Sequence, residues 1–166
     1  PSSMCKRVSS SADSDVYKCQ DHGCDIGYYP SLFGVDVRIS HADLQPVDSL
    51  SKDLYGILGV SIYSEGKESI EEVIVQLGKG KNKTISTAES CTGGLIGHRL
   101  TEVPGSSDVY KGGLVVYCNE SKIEMVGVGK GTLEGHGAVS AETAESMAYN
   151  VKNKFVSDYG ISVTGI

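Results

Sequence analysis

Long apolar runs are missing from this sequence. No stretch approaches the length of a membrane-crossing helix, and no apolar secretory core opens the chain, so the expectation is a soluble, cytoplasmic protein with no membrane partner. An excess of positive charge is missing too. Fifteen Lys and Arg against 21 Asp and Glu give a formal charge of −6, which leaves no electrostatic footprint for nucleic acid. Metal-ligand spacing is absent: Cys5, Cys19, Cys24, Cys91 and Cys118 form no CxxC pair and no histidine stands at ligand distance, so no metal is expected. An odd thiol count fits a reducing compartment, with the cysteines as small, partly buried residues. Nor is there a Ser–His–Asp arrangement, since His98 and His136 are the only histidines of the second half.

What remains is a chain of 166 residues, 39% hydrophobic, which suffices for a core, with 21 glycines that imply many turns. Residues 1–20 are Ser-rich without apolar period and read as a non-native or disordered extension rather than a folded element. Structural patterning begins at Asp25–Tyr29, a strand expected to stop at Pro30. Val35, Val37 and Ile39 alternate with polar neighbours as a half-buried strand. Leu50, Leu54, Ile57 and Leu58 lie at helical spacing, and Gly59 ends that helix. Val60–Tyr63 reads as a short strand. Ser69 and Glu72 form a capping box for a helix carrying Ile70, Val73, Ile74 and Leu77. The polar, glycine-bearing Gly78–Lys83 marks the expected boundary between a small α+β domain at 21–78 and a second domain at 79–166.

The second half alternates: strand Thr84–Ala88, helix Gly93–Thr101, strand Gly113–Cys118, a short helix through Val126 capped by Asn119, and a single turn around Thr132–Glu134. A longer helix capped by Ser140 and a strand Ile161–Thr164 follow. Such alternation predicts a layered α/β fold.

Two regions carry chemistry. Ser90, Thr92, Gly93 and Gly94 form a strand-to-helix turn whose N–H groups favour a phosphate or an oxyanion, although a plain capping turn reads equally well. The run lacks the Gly-Lys-Ser/Thr ending of a P-loop. Ser107 and Lys122 suggest a serine nucleophile with a lysine base, which needs a lysine of lowered pKa; the helix start at Asn119 and partial burial both push that way. On spacing alone, an exposed lysine and a turn serine are the plainer reading. Tyr117 sits at a strand end where its hydroxyl could orient substrate. Cys91 lies at a helix N-terminus, but without a histidine partner it reads as structural.

In unbroken order the chain has Thr87-Ala88-Glu89-Ser90-Cys91-Thr92-Gly93-Gly94, Pro104-Gly105-Ser106-Ser107, Lys111-Gly112-Gly113, Val116-Tyr117-Cys118-Asn119-Glu120-Ser121-Lys122 and Leu133-Glu134-Gly135-His136-Gly137-Ala138-Val139-Ser140. These runs resemble the CinA C-terminal domain, the nicotinamide-nucleotide amidase family of bacteria, over about Thr84–Ile166. More loosely, Ile26–Gly78 is similar to the end of the small KH-like middle domain of that family. The resemblance implies a layered α/β/α amidase domain, preceded by part of the KH-like domain. It also implies hydrolysis of nicotinamide mononucleotide to nicotinate mononucleotide and ammonia, as in pyridine nucleotide salvage. Carried over by motif, Ser107 is the nucleophile and Lys122 its base, with Tyr117 and Ser90 in the same hydroxyl network. Thr92, Gly93, Gly94, Ser106 and Asn119 contact substrate. No cofactor or metal is implied, and a homodimer is. Cys118 stands where the family usually has serine. The chain also stops before the family's Ala-Gly-Pro-Gly-Gly loop and lacks its N-terminal domain, so it reads as a fragment. The competing expectation is a non-catalytic nucleotide-binding fragment of a CinA-like protein whose main activity lies in the absent ADP-ribose pyrophosphatase domain.

Overall fold

The computed structural model describes the backbone of residues 2–8 and, with side chains, residues 23–31 and 34–165. The chain divides into two units, Pro1–Val73 and Ile74–Ile166. The division falls a few residues before the expected Gly78–Lys83. Its physical reason is Val75, which is buried in one cluster with Ile85, Leu100 and Val109 of the second unit.

The first unit contains β1 (Ser2–Val8), β2 (Asp25–Ser31), β3 (Gly34–His41), α1 (Leu44–Leu58) and β4 (Ile62–Ser64). Its sheet has the order β2-β3-β1-β4, antiparallel at every pairing. The alternation in β3 is realised: Val35, Val37 and Ile39 are buried, and Arg38 faces out. Val47, Leu50, Leu54 and Leu58 of α1 join that core at helical spacing, whereas Ile57 is exposed. Two expectations are corrected. Pro30 does not stop β2, because an edge strand tolerates a missing N–H. The opening residues are not without structure either. Ser2–Val8 pairs with β3 on one side and β4 on the other, because ladder hydrogen bonds are made by backbone and need no apolar alternation. Positions 9–20 of the expected extension lie outside the described residues.

The second unit is built on three parallel strands, β5 (Ile85–Glu89), β6 (Tyr110–Val115) and β7 (Tyr159–Val163), in the order β6-β5-β7. The helices are α2 (Ile70–Lys81), which spans the division, α3 (Leu95–Glu102), α4 (Asn119–Glu124), α5 (Lys130–His136) and α6 (Ala141–Phe155). The central strand β5 is buried throughout and supplies both apolar layers. Ile85 packs with Val75, Leu100 and Val109, and Ala88 with Val116, Met147 and Val151. That is the α/β layering the alternation predicts. At Gly160 a Cβ would run into the Ala148 carbonyl, so the α6 backbone lies directly on β7 and only glycine fits there.

The helix starts follow capping chemistry. Ser69 and Glu72 form the expected reciprocal box, Ser69 N–H to Glu72 Oε2 at 2.6 Å and Glu72 N–H to Ser69 Oγ at 3.3 Å. Ser140 Oγ accepts from Thr143 N–H at 3.1 Å. Asn119, by contrast, is the first residue of α4, and the cap is Cys118, whose Sγ accepts from Ser121 N–H at 3.4 Å. The expected single turn around Thr132–Glu134 is the full helix α5.

The amino ends of β5 and β7 are joined through Asp158. It accepts from Lys83 Nζ at 2.8 Å, Thr84 N–H at 2.9 Å and Thr84 Oγ1 at 3.0 Å. Lys83 first and the Thr84 donors next hold its carboxyl down from 3.8 to about 2. A carboxylate depressed in the folded state stabilises above its unfolded pKa and loses that contribution as pH falls through the folded one. Asp158→Asn is therefore expected to lower the urea midpoint at neutral pH, with the difference from wild type fading between about pH 4 and pH 2. A difference that persists at pH 2 would count against this pairing.

Candidate active site

Parallel strands put all their carboxyl ends on one edge, where ligands of open α/β sheets collect. Here the chain leaves β5 through Ser90 and Cys91, β6 through Val116 and Tyr117, and β7 through Thr164 and Gly165. A cleft of about 470 Å³ opens at that edge, lined by Ser90, Cys91, Tyr117, Lys122, Ala138, Val139, Thr164 and Gly165.

The turn after β5 is tightly held. Ser90 N–H donates to Val163 O at 2.9 Å, and Ser90 O accepts from Gly93 N–H at 3.1 Å. Gly93 at φ 60° and Gly94 at φ 99° lie in the left-handed region, which is why two glycines stand there. The side chain of Glu89, only 2% exposed, accepts from Gly94 N–H at 3.1 Å, Ile96 N–H at 3.0 Å and Gly97 N–H at 2.8 Å. The N–H groups of Cys91 and Thr92 have no acceptor among the described residues. Thr92 Oγ1 is buried without a hydrogen-bond partner.

Lys122 is the largest of the fully buried side chains among the described residues, 1% exposed. Its Nζ donates to Ser90 Oγ at 2.9 Å, Val116 O at 3.0 Å and Tyr117 O at 2.9 Å. Among the described residues no carboxylate contacts it. Burial pushes its pKa below the ordinary 10.5, and the Cys118 and Cys91 thiols oppose that only in part.

Several site expectations change. Lys122 and Ser90 come together, but Ser107 does not join them. Ser106 and Ser107 form a 3₁₀ turn with Asp108 ahead of β6, and Lys122 follows that strand. The six residues of β6 separate the two by roughly 20 Å at about 3.3 Å per residue. Ser107 is therefore at the wrong end of the sheet to pass a proton to Lys122, and Ser106 is there with it. Tyr117 reaches Lys122 through its carbonyl, while its side chain is 76% exposed along the cleft. Asn119 is exposed and outside the cleft lining. Gly94, expected to receive a substrate anion, gives its N–H to Glu89. The Glu89 role was missed; its signal was an acidic residue ending an otherwise buried strand just before a helix.

The family model of the CinA C-terminal domain matches residues 67–166. A CinA-like protein of Chloroherpeton thalassium is 43% identical over 156 residues, covering 87% of this chain and 36% of that protein. A CinA-like protein of Dictyoglomus thermophilum is 48% identical over 120 residues, covering 72% and 29%. The chain thus spans about a third of the length of the curated relatives it matches. The crystal structure of the competence/damage inducible protein CihA from Agrobacterium tumefaciens superposes with a TM-score of 0.57 at 44% identity, covering 58% of each chain. Among the described residues no helix is long and apolar enough to cross a membrane. The runs around Ser90 and Lys122 lie inside the matched segment, and the chain belongs to the CinA C-terminal domain family.

Proposed function

We propose that the second unit is an amide hydrolase acting on nicotinamide mononucleotide, with Ser90 as nucleophile and Lys122 as its base. The observation that carries this reading is the buried Lys122 Nζ–Ser90 Oγ contact of 2.9 Å. A neutral amine has two N–H groups and one lone pair. The Val116 and Tyr117 carbonyls can only accept, so they take the two N–H groups. The lone pair then faces Ser90, whose hydroxyl becomes the donor.

Oγ attacks the carboxamide carbon as its proton passes to Nζ. The tetrahedral oxyanion collapses, the C–N bond breaks, and the leaving nitrogen takes the proton from Nζ and departs as ammonia. Water then attacks the ester, again giving its proton to Lys122, and frees the carboxylic acid and Ser90. The N–H groups of Cys91 and Thr92 are the donors proposed for the oxyanion. The cleft volume of about 470 Å³ lies in the usual range for small-molecule sites. The resemblance of the flanking motifs to the amidase family supports the choice of substrate.

Incubating the chain with nicotinamide mononucleotide and measuring ammonia tests this reading. Wild type is expected to turn over, and Ser107→Ala to stay within about threefold of it, since surface substitutions seldom matter at a distance. Binding without product would favour a non-catalytic nucleotide module. Loss of activity in Ser107→Ala would restore the serine before β6 to the mechanism.

A further inference from the structure

We infer that Glu89 is a positioning residue that fixes the Ser90 turn and closes the α3 N-terminus to any substrate anion; this rests on the amidase reading above. The mechanism gives Glu89 no proton to carry, yet it is a buried carboxylate immediately before the nucleophile. Its three partners are N–H groups at the start of α3, donors that a helix cannot satisfy internally. Hydrogen bonds to an ionised acceptor are about twice as strong as neutral ones, and the helix dipole favours the charge.

The geometry leaves the turn little freedom. Glu89 is fixed at one end as the last residue of β5, in register with Val115 on one side and Val163 on the other. The α3 end is pressed close at Gly97, where a Cβ would lie 2.6 Å from the Tyr110 hydroxyl and 3.4 Å from Glu89 Oε1. The carboxylate ties these two ends together across residues 90–93. Ser90 Oγ is thereby held toward Lys122, and the N–H groups of Cys91 and Thr92 remain free for the reaction. The same bonds place a negative charge where helix starts elsewhere receive phosphate, so the substrate phosphate binds away from α3.

The test compares Glu89→Ala and Glu89→Gln with wild type in the full chain. Glutamine keeps one acceptor oxygen but turns an NH2 against N–H donors. Ammonia release is expected to show kcat down about 100-fold for Glu89→Ala, the size of effect that small misplacement produces, and about tenfold for Glu89→Gln, with KM within about threefold for both. A folded variant with wild-type kcat overturns the inference, as does a raised KM with kcat unchanged. If Glu89→Ala fails to fold, Glu89→Gln alone decides. A wild type silent toward the mononucleotide overturns the amidase reading instead. Hydrogen exchange of Glu89→Gln then decides whether Glu89 fixes the turn: faster exchange across residues 90–97 supports it, and unchanged exchange overturns it.

Discussion

Lys122→Met is expected to lower ammonia release by at least about 10³-fold without unfolding the protein, as befits the loss of a general base. Methionine matches the length of the lysine stem and removes the charged head from a site where it is 1% exposed. Two effects on stability oppose each other. A buried ammonium with no carboxylate partner among the described residues no longer has to be desolvated, but Ser90 Oγ and the Val116 and Tyr117 carbonyls lose their shared donor. Their pH dependence separates them. Because folding lowers the Lys122 pKa, the unfolded state binds more protons between the folded value and 10.5. Wild type therefore gains stability relative to the variant as pH rises toward 10.5. In the same direction, wild-type kcat/KM is expected to climb with pH as the amine becomes neutral, with a midpoint below 10.5. Denaturant melts and rate profiles at a series of pH values check both. A rate that falls with rising pH would remove Lys122 as the base.

Ser90→Ala is expected to match that loss while leaving mononucleotide affinity nearly unchanged, because one hydroxyl contributes little to ground-state binding. Groups that act as a unit are strongly non-additive. The double variant Ser90→Ala, Lys122→Met should accordingly fall no further than either single change, measured as kcat with affinity followed by calorimetry. A double variant slower by the product of the two single losses would mean that Ser90 and Lys122 serve separate steps. Turnover of Ser90→Ala within tenfold of wild type would return the search for the nucleophile to other hydroxyls.

The layered second unit was legible because its strands and helices follow simple periods, and the capping residues Ser69, just ahead of it, and Ser140 stand where the chemistry wants them. Lys122 was legible as well, from a lysine on a short helix just after a Val-rich strand, although the structure places it in the last turn of that helix rather than the first. Ser90 was legible as a member of the same hydroxyl network, but not as the serine that touches Lys122. Ser107 is 15 positions from Lys122 and Ser90 is 32, so closeness along the chain favoured Ser107, whereas Ser90 is the one in contact. Parallel pairing reverses that order: Ser90 and Val116 both follow the last β5–β6 register pair, Glu89 with Val115. Asking which hydroxyls follow a strand, rather than precede one, would have chosen Ser90. Glu89 escaped because a motif read as glycines and hydroxyls drew attention to a visiting anion, and the protein supplies its own. The strand β1 escaped because its pairing is carried by backbone atoms.

Two of the three acceptors that hold Lys122 are peptide carbonyls, of Val116 and Tyr117. Point substitution exchanges side chains and leaves a peptide oxygen in place. Substitution at position 117 can therefore leave the Lys122 amine held, even though it changes the ring that lines the cleft. A substitution survey of the gene would read that position through the ring that lines the cleft, not through the main chain that holds Lys122. The weight of selection would fall instead on residues that set the path of the chain there, such as buried Val116, which touches no substrate.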